Sequence, residues 1–366
     1  MNILLVTEDW SESKGGVQDY LKNIEKHLGV ARVFVAGKKK MWKRPRWLWE
    51  ARKALKEAKS GGFDAVLCGK ALFEGRVGLY LKKKLNIPYV VFTYAMEIET
   101  WVKQPRQKRL LGKVLRGADR VTYINEQTKR TLISLGLMEN QLVKVWPGVS
   151  ERFFKEVAND LISGTLEHYA VQQPYVLCVA RLVSRKGIDT LIEAFARLDQ
   201  TKFGNWQLVI AGDGPQSRDL KELAESEFIN KSVSFLTNVP DKHLPALYSG
   251  AGLFAMTPKE LPGDYEGFGI VYIEAAACGV PSLGTSTGGV PEAVVDGETG
   301  LIAEPDNVQS VKDKLEKLIE SEDLRNRMGS AAKERAWKNF RWSDRIRPLL
   351  EELERLKKEA SLEGRP

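Results

Sequence analysis

Glu266 and Glu274 bracket the stretch EGFGIVYIE, in which Gly267 and Gly269 precede an apolar pattern at Ile270, Ile273 and Ala277. That spacing predicts a loop carrying one carboxylate and a helix carrying the other, so both can face one pocket. The glycines leave bare backbone at the helix start, where unpaired N–H groups and the positive dipole end favour an anion or sugar hydroxyls. Paired carboxylates also suit acid/base work of the glycoside-hydrolase kind. The plainer alternative is a strand-loop-helix connection with Glu266 in solvent and Glu274 on an exposed helix face.

A second set of chemical groups is cationic. Arg181 and Lys186 bracket the segment ARLVSRKG, which leaves the apolar run Tyr175 to Val179 and enters a helical pattern. Two cations converging at a strand's carboxyl end suit a diphosphate, and each charge-assisted contact contributes about 1.5–3 kcal/mol. Gly212 and Gly214 form a sharp turn after the run Leu208 to Ala211, and Gly15-Gly16 follows the first strand-like run, Ile3 to Val6. The Gly15-Gly16 pair sits where a phosphate-binding turn belongs, without the full GxGxxG spacing.

The elements that position these groups alternate along the whole chain. Strand-like runs at Ile3 to Val6, Val33 to Val35, Ala65 to Cys68, Tyr89 to Phe92, Arg120 to Ile124 and Val143 to Trp146 are separated by helical patterns. A second series starts at Tyr175 and continues through Leu208 to Ala211, Val233 to Leu236, Leu253 to Met256 and Val280 to Leu283. Between them lies the polar stretch Asp160 to Gln173. Alternation of this kind predicts α/β architecture, two doubly wound Rossmann-like domains with the ligand beyond the strand carboxyl ends, in a cleft between them.

The domains are placed at 1–165, 166–340 and a helical tail at 341–366 that returns to the first domain. The aromatic knot Trp337, Phe340 and Trp342 is expected to dock that tail.

At 366 residues and 43% hydrophobic composition, the chain suits two domains. No apolar window is long enough to span a bilayer, and the opening strand lacks the features of a signal peptide. Cys68, Cys178 and Cys278 are scattered without CxxC spacing, as small core residues of a reducing cytoplasm are. His27, His168 and His243 share no metal-ligand spacing, so no metal is expected. The net charge of +8 hides an asymmetry: residues 1–150 carry 29 Lys+Arg against 14 Asp+Glu, so the remainder is acidic.

ARLVSRKG, AGDGP, EGFGIVYIEA and TGGVPE (Thr287 to Glu292), in this order and at these distances, resemble the GT-B glycosyltransferases of family 4 over nearly the whole chain. The resemblance implies a retaining, metal-independent transfer of a hexose from a nucleoside diphosphate sugar, a UDP- or GDP-hexose, with no cofactor. It implies that Arg181 and Lys186 neutralise the donor diphosphate, and that Glu274 holds the ribose hydroxyls. Glu266 and the backbone at Phe268, Gly269 and Ile270 would hold the hexose; Gly16, Gly212 and Gly214 would line the donor site. One departure stands out: the family's His-Gly pair after the fourth strand is Tyr94-Ala95 here, followed by Glu97. Tyr94 would then donate a hydrogen bond where an imidazole is usual. A non-catalytic sugar-nucleotide-binding subunit and a sugar-nucleotide epimerase are the alternatives.

The acceptor side is read from the basic first half. Lys38 to Trp49 interleaves three tryptophans with six cations, and Lys103, Arg106, Lys108, Arg109, Lys113 and Arg116 form a second basic run beside Trp101, Leu110 and Leu111. Such mixtures suit an anionic membrane surface. The expectation is a cytoplasmic enzyme, peripheral on the inner face of the cell membrane, acting on a lipid, lipid-linked or glycan acceptor. No nucleic acid partner is expected, since no binding fold for one accompanies the charge.

Overall fold

The computed structural model describes residues 1–8, 10, 16–37 and 45–362. Gly15 and the basic residues Lys38 to Arg44, with Trp42, lie outside the described residues. The chain forms two compact units, Met1–Pro147 together with Trp342–Pro366, and Gly148–Arg341.

The first unit is built on six parallel strands, β1 (Ile3–Thr7), β2 (Arg32–Val35), β3 (Ala65–Cys68), β4 (Tyr89–Phe92), β5 (Arg120–Tyr123) and β6 (Leu142–Lys144), in the order β2-β1-β3-β4-β5-β6. Leu5 pairs with Val33 on one side and Leu67 on the other. Strands β1, β3 and β4 are buried on both faces, which is why they read as unbroken apolar runs.

Leu4 and Val6 pack on Ala51, Ala54, Leu81 and Leu111, from helices on one face. Ile3 and Leu5 pack on Leu21 and Ile24 of the helix Gly16–Leu28, and on Trp342, Leu349 and Leu353 of the C-terminal segment. Trp342 meets Tyr20 edge-on at 5.4 Å and stacks on His27 at 6.0 Å. Arg120 to Glu352 at 2.5 Å and Lys357 to Asp64 at 3.0 Å fasten the helix Arg347–Leu362 to the same unit.

The second unit repeats the theme with β7 (Tyr175–Val179), β8 (Gln207–Ala211), β9 (Val233–Leu236), β10 (Leu253–Ala255), β11 (Ser282–Thr285) and β12 (Gly300–Ala303), in the order β12-β11-β10-β7-β8-β9. The strand order reverses between β7 and β10, which pair through Leu177 and Phe254. A crevice opens at such a reversal because the connections leaving the two strands go to opposite faces.

Three sequence expectations change. The boundary at 165 falls inside the second unit, because Phe153 packs edge-on to Tyr248 at 5.7 Å there. The polar stretch from Asp160 is not an interruption but part of the helix Asn159–His168, which buries only Thr165 and Leu166 and so shows little apolar periodicity. The aromatic knot is divided: Trp337 meets Phe154 and Phe340 meets Phe268 in the second unit, whereas Trp342 belongs to the first. Strand β12 was not anticipated, since GLIA is too short and glycine-led to signal itself.

The docking of Trp342 gives a stability prediction. Trp342→Ala is expected to destabilise the first unit by about 3–5 kcal/mol, read as an earlier urea transition of that unit, with the second unit's transition unmoved.

Candidate functional site

The reversal between β7 and β10 is occupied by charge. The chain leaving β7 passes Arg181 and makes a turn at Ser184–Lys186, and the chain leaving β10 returns through Asp264 to Glu266 before the helix Ile270–Ala277. Lys186 Nζ and Arg185 Nη1 both donate to Glu266 Oε2, the second at 2.9 Å. Lys186 is 8% exposed and Glu266 7%. Burial pushes the Glu266 carboxyl up, and the Lys186 and Arg185 charges more than offset it, so the group is held below the usual carboxylate range.

Two glycines allow this approach. A Cβ on Gly187, at φ +61°, would lie 1.9 Å from Thr257 O, and one on Gly288, at φ +54°, would lie 2.0 Å from Glu266 O. The Thr257 hydroxyl donates to Gly187 O at 2.6 Å, and Gly289 N donates to Glu266 O at 3.0 Å. Three loops, after β7, β10 and β11, are thereby locked around one ion cluster.

The other predicted donor residues are distributed around it. Glu274 lies one turn into its helix, partly exposed, and accepts from the Tyr248 hydroxyl at 3.1 Å. Burial and the Glu274 charge raise the Tyr248 phenol, which stays a donor. Phe268 is buried, Gly269 caps the helix and Ile270 opens it. Arg181 is exposed beside buried Leu182, whose N–H donates to Asp213 O at 2.9 Å, tying the Gly212 to Gly214 turn to this loop. Glu266 and Glu274 thus hold different partners.

In the first unit, Gly16 is the first residue of its helix and Tyr94 precedes the helix Ala95–Val102 at the carboxyl end of β4. Tyr94 is half-buried and meets Tyr20 edge-on at 5.8 Å.

Two carboxyls of the same unit accept from loop backbone. Glu97 Oε1 accepts from Ala71 N at 2.9 Å, and Glu74 Oε1 accepts from Glu8 N at 3.1 Å. Burial, then the Glu74 charge, pushes Glu97 up to about 8; burial pushes Glu74 up to about 7. Sequence reasoning quoted Arg185 without a role and passed over Asp264, Tyr248 and Glu74. Arg185 carried the one available signal, its place beside Lys186.

Two doubly wound sheets with glycine-bearing, charged loops at their strand carboxyl ends define a two-domain α/β protein of the GT-B class. Residues 4–152 match the family model described as Glycosyltransferase Family 4, and residues 168–335 match the model described as Glycosyl transferases group 1. The chain belongs to the family 4 glycosyltransferases and is an enzyme of that kind.

It is 29% identical over 382 residues to a GDP-mannose-dependent alpha-(1-6)-phosphatidylinositol monomannoside mannosyltransferase of Mycolicibacterium smegmatis, covering 95% of this chain and 97% of that one. It is 26% identical over 269 residues to an N-acetyl-alpha-D-glucosaminyl L-malate synthase of Bacillus anthracis, covering 72% and 67%. The fold superposes on that of Anabaena Alr3699/HepE, crystallised with UDP, with a TM-score of 0.84 at 20% identity over 97% of this chain and 100% of that one.

Glu74 and Glu97 make the stability of the first unit depend on pH. Their folded pKa values lie above the ordinary carboxylate value, so the folded state binds more protons than the unfolded state between about pH 4.5 and 8. Stability is therefore present at the acid end of this window and lost as pH rises through it. Glu97→Gln is expected to flatten that decline in the melting temperature of the first unit, measured from pH 5 to 9.

Proposed function

We propose that the enzyme is a retaining, metal-independent hexosyltransferase that moves a hexose from a nucleoside diphosphate sugar to a lipid, lipid-linked or glycan acceptor at the cytoplasmic membrane face. The observation that carries the donor half is the buried Lys186–Glu266 contact at the β7/β10 reversal. In this reading Lys186 and Arg181 take the diphosphate, and their charge stabilises the leaving group as it departs. Glu266 and the backbone at Phe268 to Ile270 orient the hexose, Glu274 takes the ribose hydroxyls, and Gly212 and Gly214 shape the wall. From the first unit, Gly16 approaches the phosphates and Tyr94 donates from its phenol. The mannosyltransferase relatives, named as GDP-mannose-dependent, favour GDP-mannose as donor and a glycosylated phospholipid as acceptor.

The membrane part rests on the helix Pro105–Gly117, which has no acidic residue and exposes Arg106, Lys108, Arg109, Lys113 and Arg116. Lys108, Arg109 and Arg116 line a shallow pocket with Pro105, Ser134 and Leu135. Each cation near an anionic surface contributes about 1 kcal/mol. Among the described residues no helix is long and apolar enough to cross a membrane, so contact would be at the surface.

A thermal-shift panel of GDP-, UDP- and ADP-sugars identifies the donor, and transfer to lipid acceptors follows with that donor. Lys186→Ala and Glu274→Ala are expected to lose activity on the order of a hundredfold, Glu274→Ala with the wild-type melting curve and Lys186→Ala with an earlier one because Glu266 loses a buried partner, and Tyr94→Phe to lose less; near-wild-type turnover in both of the first two overturns the site. For the surface, co-sedimentation with vesicles containing anionic phospholipid is expected at low salt and not at high salt. No binding at low salt removes the membrane from the proposal.

A further inference from the structure

Glu266 Oε2 is unusual in carrying two cations on one buried oxygen. A donor diphosphate beside Lys186 would compete with Glu266 for its ammonium and draw that charge toward phosphate. A buried carboxylate left without a cation would either take up a proton or hold the lysine back. The second cation removes that conflict. We infer that Arg185 is a positioning residue for the donor site, the counterion that stays on Glu266 when Lys186 transfers to the donor. This rests on the donor reading above and deepens it.

The two side chains are suited to different parts. Arg185 is pinned from several directions: Nη1 donates to Glu266 at 2.9 Å, Nε lies 3.3 Å from Asp264 Oδ1, and its backbone carbonyl accepts from Lys259 N at 2.9 Å. Its planar fork spans two acidic residues of the loop that follows β10. Lys186 is a point charge on a flexible stem with one carboxylate contact, and such a group can change partner by rotating its chain. The turn that carries both residues is held by Gly187 against Thr257, so the lysine moves while the arginine and the loop stay.

The charged and titratable groups around Glu266 are Lys186 and Arg185 from the turn after β7, Asp264 on its own loop, and Tyr272 from the helix Ile270–Ala277. Cys178 of β7 lies behind Lys186. The thiol and the phenol are both raised by burial. Of these groups, the one whose protonation changes when Arg185 is lost is Glu266.

The test compares wild type, Arg185→Gln and Arg185→Lys from about pH 3 to 9, with whichever of GDP-mannose and UDP-glucose the wild type uses. With glutamine, the donor KM is expected to rise on the order of tenfold or more, and the acid limb of kcat/KM to move up by about one pH unit. Lysine keeps a charge on Glu266, so its acid limb should remain that of the wild type. A uniform loss in Arg185→Gln with an unmoved acid limb overturns the inference, because a direct donor contact or a purely structural role would act that way. Should the glutamine variant fail to fold, a displaced acid limb in Arg185→Lys overturns it equally. Absence of any melting shift of the wild type with both donors, by contrast, removes the donor reading itself.

Discussion

The buried contact of Glu266 with Lys186 and Arg185 is the constraint on which the second unit's architecture turns. Removing one member of a buried ion pair costs about 3–5 kcal/mol because the other is left uncompensated. The cluster is therefore tolerable only if its geometry is held, and three loops hold it. Thr257 closes on Gly187, Gly288 and Gly289 support the Glu266 backbone, and Asp264 steadies Arg185. At Gly187, Gly288 and Gly289 a Cβ would collide with backbone oxygen, so no side chain fits there.

Parallel topology determines where such a cluster can form. Between β7 and β10 the connections diverge to opposite faces, so the loops beyond their carboxyl ends border open space while the strands beneath are buried up to Val179 at the end of β7. The first unit places its polar groups at the equivalent ends of its strands. Glu74 and Glu97 each use one oxygen to tie down a loop backbone near the ends of β1 and β3. Tyr94 is held by Tyr20, which in turn meets Trp342. A C-terminal residue thus buttresses an aromatic stack that reaches a predicted site residue within its own unit.

Much of this was legible beforehand. Central strands of parallel sheets are buried on both faces, so ILLVT and YVLCV announce themselves as apolar runs, and glycine turns after them mark strand ends. Edges were harder. GLIA, at the sheet margin, and the helix Asn159–His168, which buries only two residues, carry too little periodicity to be seen. The ordered motifs singled out Glu266, Glu274, Arg181 and Lys186 as candidates. They did not show that Glu266 and Lys186 touch, that Arg185 shares the same oxygen, or that Glu274 bonds to Tyr248, because those partners lie 80, 81 and 26 residues apart along the chain.

The sequence by itself determined the α/β alternation, the family and the residue types available for chemistry, since periodicity and local motifs are encoded in neighbouring residues. The tertiary structure decided which charge meets which, where the first unit ends and which unit receives Trp342. It also decided that Glu74 and Glu97 are raised while Glu266 is lowered. The reason is the same in each case: burial penalises every carboxylate, and only the fold determines whether cations distant in sequence arrive to offset it.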